Sequence, residues 1–376
     1  MKRGLYISLF LWAFTLVYSQ DQAPRKAIPQ PYLQFNYHTG TFWTRSDYLK
    51  EVFDDPYRAV ELRLGFQSTG KKIWQQYHNY PRYGLGLHYS DLVKDPADTV
   101  VGNPFSLFFF YSGPWARFGR FTLSTDVSVG LSYMSRIHDP MSNPFNDVIA
   151  SHLNLYFDLN FNLGFRLTPR LHLYGGYGLA HYSNGRIHQP QKGVNNWGWT
   201  TGMSYQLNQP MKEFIYREPP EFETSEWIQF MYAVGLVHEV DREDAEKSYY
   251  FTSSFTIDYA YQFSPKMALT LGMDVLYDGS LGLSVKGYSE NEVSSWQKTY
   301  LGSHLGWQYI IHRFRLIANF GTYFWQHSND RGFWFVRGGG RMDLTDQLAV
   351  HICIKSKNGV RSDWIEWGAA YSLKVR

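Results

Sequence analysis

His181 and Ser183 stand two residues apart in the stretch GLAHYSNGRIHQP, Gly178 to Pro190. A serine hydroxyl is a weak nucleophile until a neighbouring imidazole takes its proton, and this pair supplies both groups. In an extended strand, residues i and i+2 share a side, roughly 6.5–7 Å apart at Cα. Modest side-chain rotation then brings them within hydrogen-bond reach. Asn184 and Gly185 follow directly. They offer a side-chain amide and a permissive backbone, the parts from which an oxyanion site is built. The same letters also describe a plain turn, since Ser-Asn-Gly closes many strands. Spacing leaves both readings open, and the element that carries the pair decides between them.

That element alternates. Leu171, Leu173, Gly175, Tyr177, Leu179, His181 and Ser183 share one face; His172, Tyr174, Gly176, Gly178, Ala180 and Tyr182 share the other. In HLNLYFDLNFNLGFRL, His152 to Leu167, every odd position is Leu or Phe and nearly every even one is polar. A period of two over such a length is a strand signal that no helix produces. Strands in soluble proteins average about 5–6 residues, whereas a tilted membrane strand needs roughly 9–11. An apolar outer row against a polar inner row is the repeat of a transmembrane barrel of the outer-membrane type. Aromatic residues make up 18% of the chain, as interfacial girdles require. The leucine face of this strand should meet lipid, and His181 and Ser183 continue it.

About sixteen such segments are readable, from 32–44 to 364–375, with fourteen as the lower count. Short turns such as LTPR, FSPK and IHR follow even-numbered strands, and longer polar loops follow odd-numbered ones. Barrels of this class have short periplasmic turns and long outer loops. Both chain ends then lie on the periplasmic side, and Ser183 arrives at the outer rim. Segments 69–81 and 208–226 are long for periplasmic turns, and the chain ends in Arg376 rather than an aromatic residue. RLTPRL…SNG…WGWTTGMSYQL recurs loosely as DLTDQL…KNG…WIEWGAAYSL. The all-β fold is therefore one antiparallel barrel of about sixteen strands, or two eight-stranded halves. In the second case residues 20–207 form the half with the site, 208–226 a linker, and 227–376 a degenerate repeat. There Lys355 and Lys357 stand near the places of His181 and Ser183.

Residues 1–19 read as a cleaved secretory signal: Lys2 and Arg3, an apolar run to Val17, and a small-residue cleavage site near Ser19–Gln20. Without Lys2 and Arg3 the chain carries 34 basic against 33 acidic residues, a balance that excludes a nucleic-acid partner. The single cysteine, Cys353, excludes an internal disulfide.

HYSNGRIHQPQKGVNNW resembles the signature of the PagL lipid A deacylase family at His181, Ser183, Asn184, Gly185, Pro190, Gly193 and Asn195. The chain as a whole is similar to the longer acyloxyacyl hydrolase-type members from Bacteroidetes. Residues 70–91, 143–157 and 362–373 share the likeness. The resemblance implies an esterase in the outer membrane of a Gram-negative bacterium, monomeric or homodimeric. It would hydrolyse an ester-linked acyl chain of lipid A at an outer, lipid-facing Ser–His site. Its partners would be lipopolysaccharide and outer-membrane lipid. Carried over, Ser183 is the nucleophile, His181 the general base, Asn184 and Gly185 the oxyanion and substrate residues, and Asn195 the third, orienting member. The chain departs from the family pattern where Asn195 replaces an acid, Arg186 a second glycine, and Gln191 an asparagine. Either Asn195 suffices, or an acid elsewhere serves, or activity is reduced. Two rival functions stand beside the hydrolase: a non-enzymatic channel or structural barrel, and a lipid acyltransferase using the same site.

The chemistry requires no metal or organic cofactor, and the histidines show no metal-ligand spacing. Asp139, Asn143, Asn146 and Asp147 read as a Pro/Asn turn rather than a Ca²⁺ site. Asp126, Asp158, Asp258 and Asp274 fall on inner faces and read as parts of polar lumen networks.

Overall fold

The computed structural model describes residues 30–52, 56–92, 100–211, 213–239, 249–284, 293–327, 332–359 and 361–376. The expected signal segment lies outside them. Eight strands come first: β1 (Pro31–Trp43), β2 (Tyr57–Gln67), β3 (Arg82–Asp91), β4 (Pro104–Phe118), β5 (Phe121–Met134), β6 (Leu153–Arg166), β7 (Leu171–Ser183) and β8 (Val194–Gln206). Eight more follow: β9 (Ser225–His238), β10 (Tyr249–Ser264), β11 (Met267–Asp278), β12 (Thr299–Ile311), β13 (Phe314–Gln326), β14 (Trp334–Asp343), β15 (Leu348–Lys357) and β16 (Arg361–Lys374). Two short helices, α1 (Asp47–Val52) and α2 (Ile73–Tyr77), sit in loops.

Each strand pairs antiparallel with the next, but β8 returns to β1 and β16 returns to β9. The sixteen strands therefore close as two eight-stranded barrels, and the single sixteen-stranded ring is not formed. Eight strands leave an interior just wide enough for side chains to fill it. In the first barrel Arg63 donates to Glu61 (2.6 Å) and to Asp126 (2.5 Å). In the second, Arg337 donates to Asp274 (2.8 Å) and Glu366 (2.7 Å), and His304 lies between Asp258 and Asp274. Asp158 accepts from Asn160 at 2.7 Å. The four inward acids thus sit in lumen networks, where each buried charge needs partners. Facing outward, Leu33, Phe35, Leu62, Leu64, Leu85 and Leu87 are exposed, an apolar surface suited to lipid.

The two long connections at the short-turn end join the barrels. Segment 68–81 carries α2, and His78 sits at its close. The Nε2 of His78 donates to the Ile310 carbonyl (2.8 Å), so the lone pair of its Nδ1 faces the hydroxyls of Tyr309 (2.9 Å) and Tyr111 (2.8 Å). Tyr111 belongs to β4 and Tyr309 to β12, so one imidazole bridges the two barrels. Trp74 stacks on His312, with ring centroids 5.9 Å apart. The crossover from β8 to β9 lies against the same segment: Ile215 N donates to Thr69 O (2.9 Å), and Phe214 stacks on Tyr80.

Candidate active site at the rim of the first barrel

β7 delivers His181 and Ser183 at the long-loop end. The residues between and before them on the other face, Ala180 and Tyr182, point inward and are buried. His181 therefore faces outward, as the alternation required. Across the ladder it pairs with Phe157 of β6 and Asn195 of β8.

The imidazole is held in one orientation. The Nδ2 of Asn195 donates to the Trp43 carbonyl (3.1 Å), so its Oδ1 turns to His181 Nδ1, 2.7 Å away. An amide oxygen only accepts, so Nδ1 carries the proton and the Nε2 lone pair is left for another donor. That is the tautomer a general base needs. Gly193 adopts φ +70°, and a Cβ placed there would stand 3.1 Å from His181 Cε1 and 3.7 Å from Ser183 Cβ. The bare glycine is thus flanked by both members of the pair. Among the described residues no hydrogen bond joins Ser183 to His181, and Ser183 is only 3% exposed. Ser183 shares the outward parity of His181 on β7 but is buried at the rim.

The turn after Ser183 is braced on three sides. Asn184 Nδ2 donates to Ser151 Oγ (2.9 Å), and its Oδ1 accepts from Arg186 N (3.1 Å). Gly185 and Arg186 follow each other in the left-handed region, at φ +61° and +71°. Glycine, which the resemblance implies at position 186, would take this φ without strain. Arginine tolerates the strain through its side chain, which pairs with Glu239 and lies 3.6 Å from Asp363. Both acids belong to the second barrel. His238 N donates to Arg186 O (3.1 Å), and Gln189 N donates to His238 Nδ1 (3.0 Å). Gly185 lies so close to Ile365 that a Cβ would stand 2.2 Å from its Cγ1. Lys192 pairs with Asp147 at 2.5 Å, tying the loop to segment 135–152.

The structure brings His181, Ser183, Asn184, Gly185 and Asn195 to one rim. It adds Trp43, Ser151, Glu239, Asp363 and Ile365, which no local pattern marks, because each comes from a distant element. Asp139 Oδ1 accepts from Met141 N and Ser142 N within its own turn, and Asn143 Nδ2 donates to Val100 O of the preceding outer loop, as the turn reading expects. In the second barrel Lys355 points inward, onto Asp363 (2.5 Å) and the Trp364 ring. His181 points outward, so Lys355 occupies the opposite face and does not match it in position. The absence of ligand spacing among the histidines stands, yet the fold brings two of them together with an acid. His38, Glu61 and His88 converge inside the first barrel, with one ligand-capable atom each within 4.8 Å of the others. They lie on β1, β2 and β3, so the hairpin register brings them together, not their spacing.

A pair of eight-stranded barrels of the outer-membrane type defines the class. Residues 58–204 match the family model described as lipid A 3-O-deacylase (PagL), and residues 227–375 match acyloxyacyl hydrolase, C-terminal domain. The two matches take in most of both barrels, and the chain belongs to the PagL-type acyloxyacyl hydrolase family. Among solved structures, the outer membrane enzyme PagL is 16% identical, with 47% of this chain and 99% of that chain covered and a TM-score of 0.29. The siderophore receptor PirA from Acinetobacter baumannii is 9% identical, with 88% and 43% covered and a TM-score of 0.23. Pseudomonas aeruginosa OccK5 is also 9% identical, with 93% and 98% covered and a TM-score of 0.23. No curated protein matches the chain.

Proposed function

We propose that the protein is an outer-membrane lipid A deacylase that works through Ser183 and His181. The observation that carries this reading is the orientation of His181: Nδ1–H donates to Asn195 Oδ1, which leaves the Nε2 lone pair unprotonated, and both His181 and Ser183 flank Gly193. Ser183 Oγ attacks the ester carbonyl carbon while its proton passes to Nε2. The ester C–O bond breaks, the departing oxygen takes that proton, and the acyl group stays on Ser183. Water, deprotonated by the same Nε2, then attacks the acyl-enzyme and releases the fatty acid. The Asn184–Gly185 turn is the candidate donor to the oxyanion. Phe157, Leu179 and Trp197 form an outward apolar row beside the pair, on which an acyl chain would lie. Ser183 is covered, so the ester reaches it when the 184–193 loop yields. Export by the cleaved segment 1–19 belongs to this reading, as does a supporting role for the second half of the chain.

The test is mass spectrometry of lipid A from cells expressing the protein or its Ser183→Ala variant. Wild type is expected to remove one acyl chain and the variant none. Identical lipid A from both, across several lipid A types, would overturn the reading.

A further inference from the structure

Inside the first barrel, three buried side chains meet with one polar atom each left over. His38 Nε2, Glu61 Oε2 and His88 Nδ1 are buried and make no hydrogen bond. Their residues are 4%, 1% and 1% exposed, so water does not satisfy them from outside. Nε2 of His38 lies 3.8 Å from Glu61 Oε2, and Nδ1 of His88 lies 3.7 Å from it. These distances are too long for hydrogen bonds. Unpaired buried polar atoms are costly, and three aimed at one point call for a shared partner.

The other atom of each side chain is engaged, which fixes the aim. Thr200 donates its hydroxyl to Asn160 Oδ1 (3.1 Å), so it accepts from His38 Nδ1 at 2.9 Å. The lone pair of His38 Nε2 is thereby turned to the centre. His88 Nε2 meets the Tyr182 hydroxyl at 3.1 Å. Glu61 Oε1 accepts from Asn36 Nδ2 and Arg63 Nε, both at 2.6 Å. Arg63 is in turn matched by Asp126 at 2.5 Å, which leaves the Glu61 charge for the centre. Outer hydrogen bonds that orient imidazole and carboxylate in this way are characteristic of metal sites.

We propose that the lumen of the first barrel holds a divalent transition-metal ion of the Zn²⁺ type on His38, Glu61 and His88. Two imidazoles and a carboxylate are a zinc donor set, with bonds of about 2.0–2.2 Å. Ca²⁺ and Mg²⁺ prefer all-oxygen shells and fit less well. Ligand atoms on one tetrahedral ion stand about 3.3–3.6 Å apart, so the two contacts of Glu61, at 3.8 and 3.7 Å, need to close by only a few tenths of an ångström. The ion joins β1, β2 and β3, the first three strands, and would enter before the barrel closes.

The full chain is refolded into detergent with Zn²⁺, freed of loose metal by desalting, and assayed for bound metal. About one ion per chain is expected to remain. A His38→Asn/His88→Asn variant is expected to retain less than a tenth of that. His188→Asn/His238→Asn removes two histidines at the rim and is expected to retain the full amount. If the lumen variant does not fold, Co²⁺ in the wild type decides, since a four-coordinate site gives intense visible bands. Wild-type zinc no higher than in a folded lumen variant, or Co²⁺ without those bands, would overturn the proposal.

Discussion

At the scale of single residues, Asn195 is the point where this site differs most in chemistry from a charged triad. An amide oxygen fixes the tautomer of His181 but supplies no full charge to the imidazolium formed in the transition state. Asn195→Asp is therefore expected to raise kcat/KM for fatty-acid release about tenfold, a fraction of the roughly 10⁴ that a charged third member is worth in serine proteases. Asn195→Leu, which frees Nδ1, is expected to lower kcat/KM by about 10² or more. Both are read with lipopolysaccharide in detergent, and equal rates in all three proteins would remove Asn195 from the mechanism. His181, Ser183 and Asn195 were legible in the sequence, from alternation and from the motif. The tautomer was not, because Trp43, 152 residues from Asn195, sets the direction of the amide.

At the scale of the element, the 184–193 loop holds the pair through backbone conformation and one cation. Gly193 has a left-handed φ and His181 Cε1 beside it. Gly193→Ala is expected to cost about 1 kcal/mol of stability and to displace the imidazole, with a fall in kcat larger than the change in KM. Arg186 joins the loop to Glu239 and Asp363. Arg186→Gly suits the backbone better but loses both ion pairs, so the variant should fold and lose activity. An Arg186→Ala/Glu239→Ala double-mutant cycle should give a coupling of about 0.5–3 kcal/mol in transition-state free energy. Additive effects would mean that the contact does not position the loop. The sequence showed that Arg186 was unusual, but its partners lie in another barrel and no local pattern names them. The strands were legible throughout, since inward and outward rows differ in polarity at every second residue.

At the scale of the molecule, strand number could be read but closure could not. An alternating row looks the same in an eight-stranded and a sixteen-stranded barrel. What differs is whether β8 pairs with β1 or with β9, and no side-chain pattern records that. The two segments too long for turns, 69–81 and 208–226, were the visible trace: the second links β8 to β9, and the first packs against the second barrel through His78. His78 at that junction gives a pH dependence. Burial, aided by Lys266, holds its pKa down to about 4 from 6.5. The unfolded chain therefore takes up a proton that the native state refuses, and stability present above pH 6.5 is lost as pH falls toward 4. The loss is expected to reach no more than about 3 kcal/mol. Thermal unfolding in detergent between pH 7 and 4 should show a slope that His78→Gln flattens. An unchanged slope would place the titration elsewhere.

The Arg186 contact has a consequence for when the protein becomes active. A chain whose first barrel has formed alone lacks Glu239, Asp363 and Ile365, and its serine-bearing turn has nothing to rest on. On the proposed function, a chain with only the first barrel formed is expected to hydrolyse lipid more slowly than the whole protein, because these contacts are missing. The second barrel would then tie activity to the assembled state of the chain.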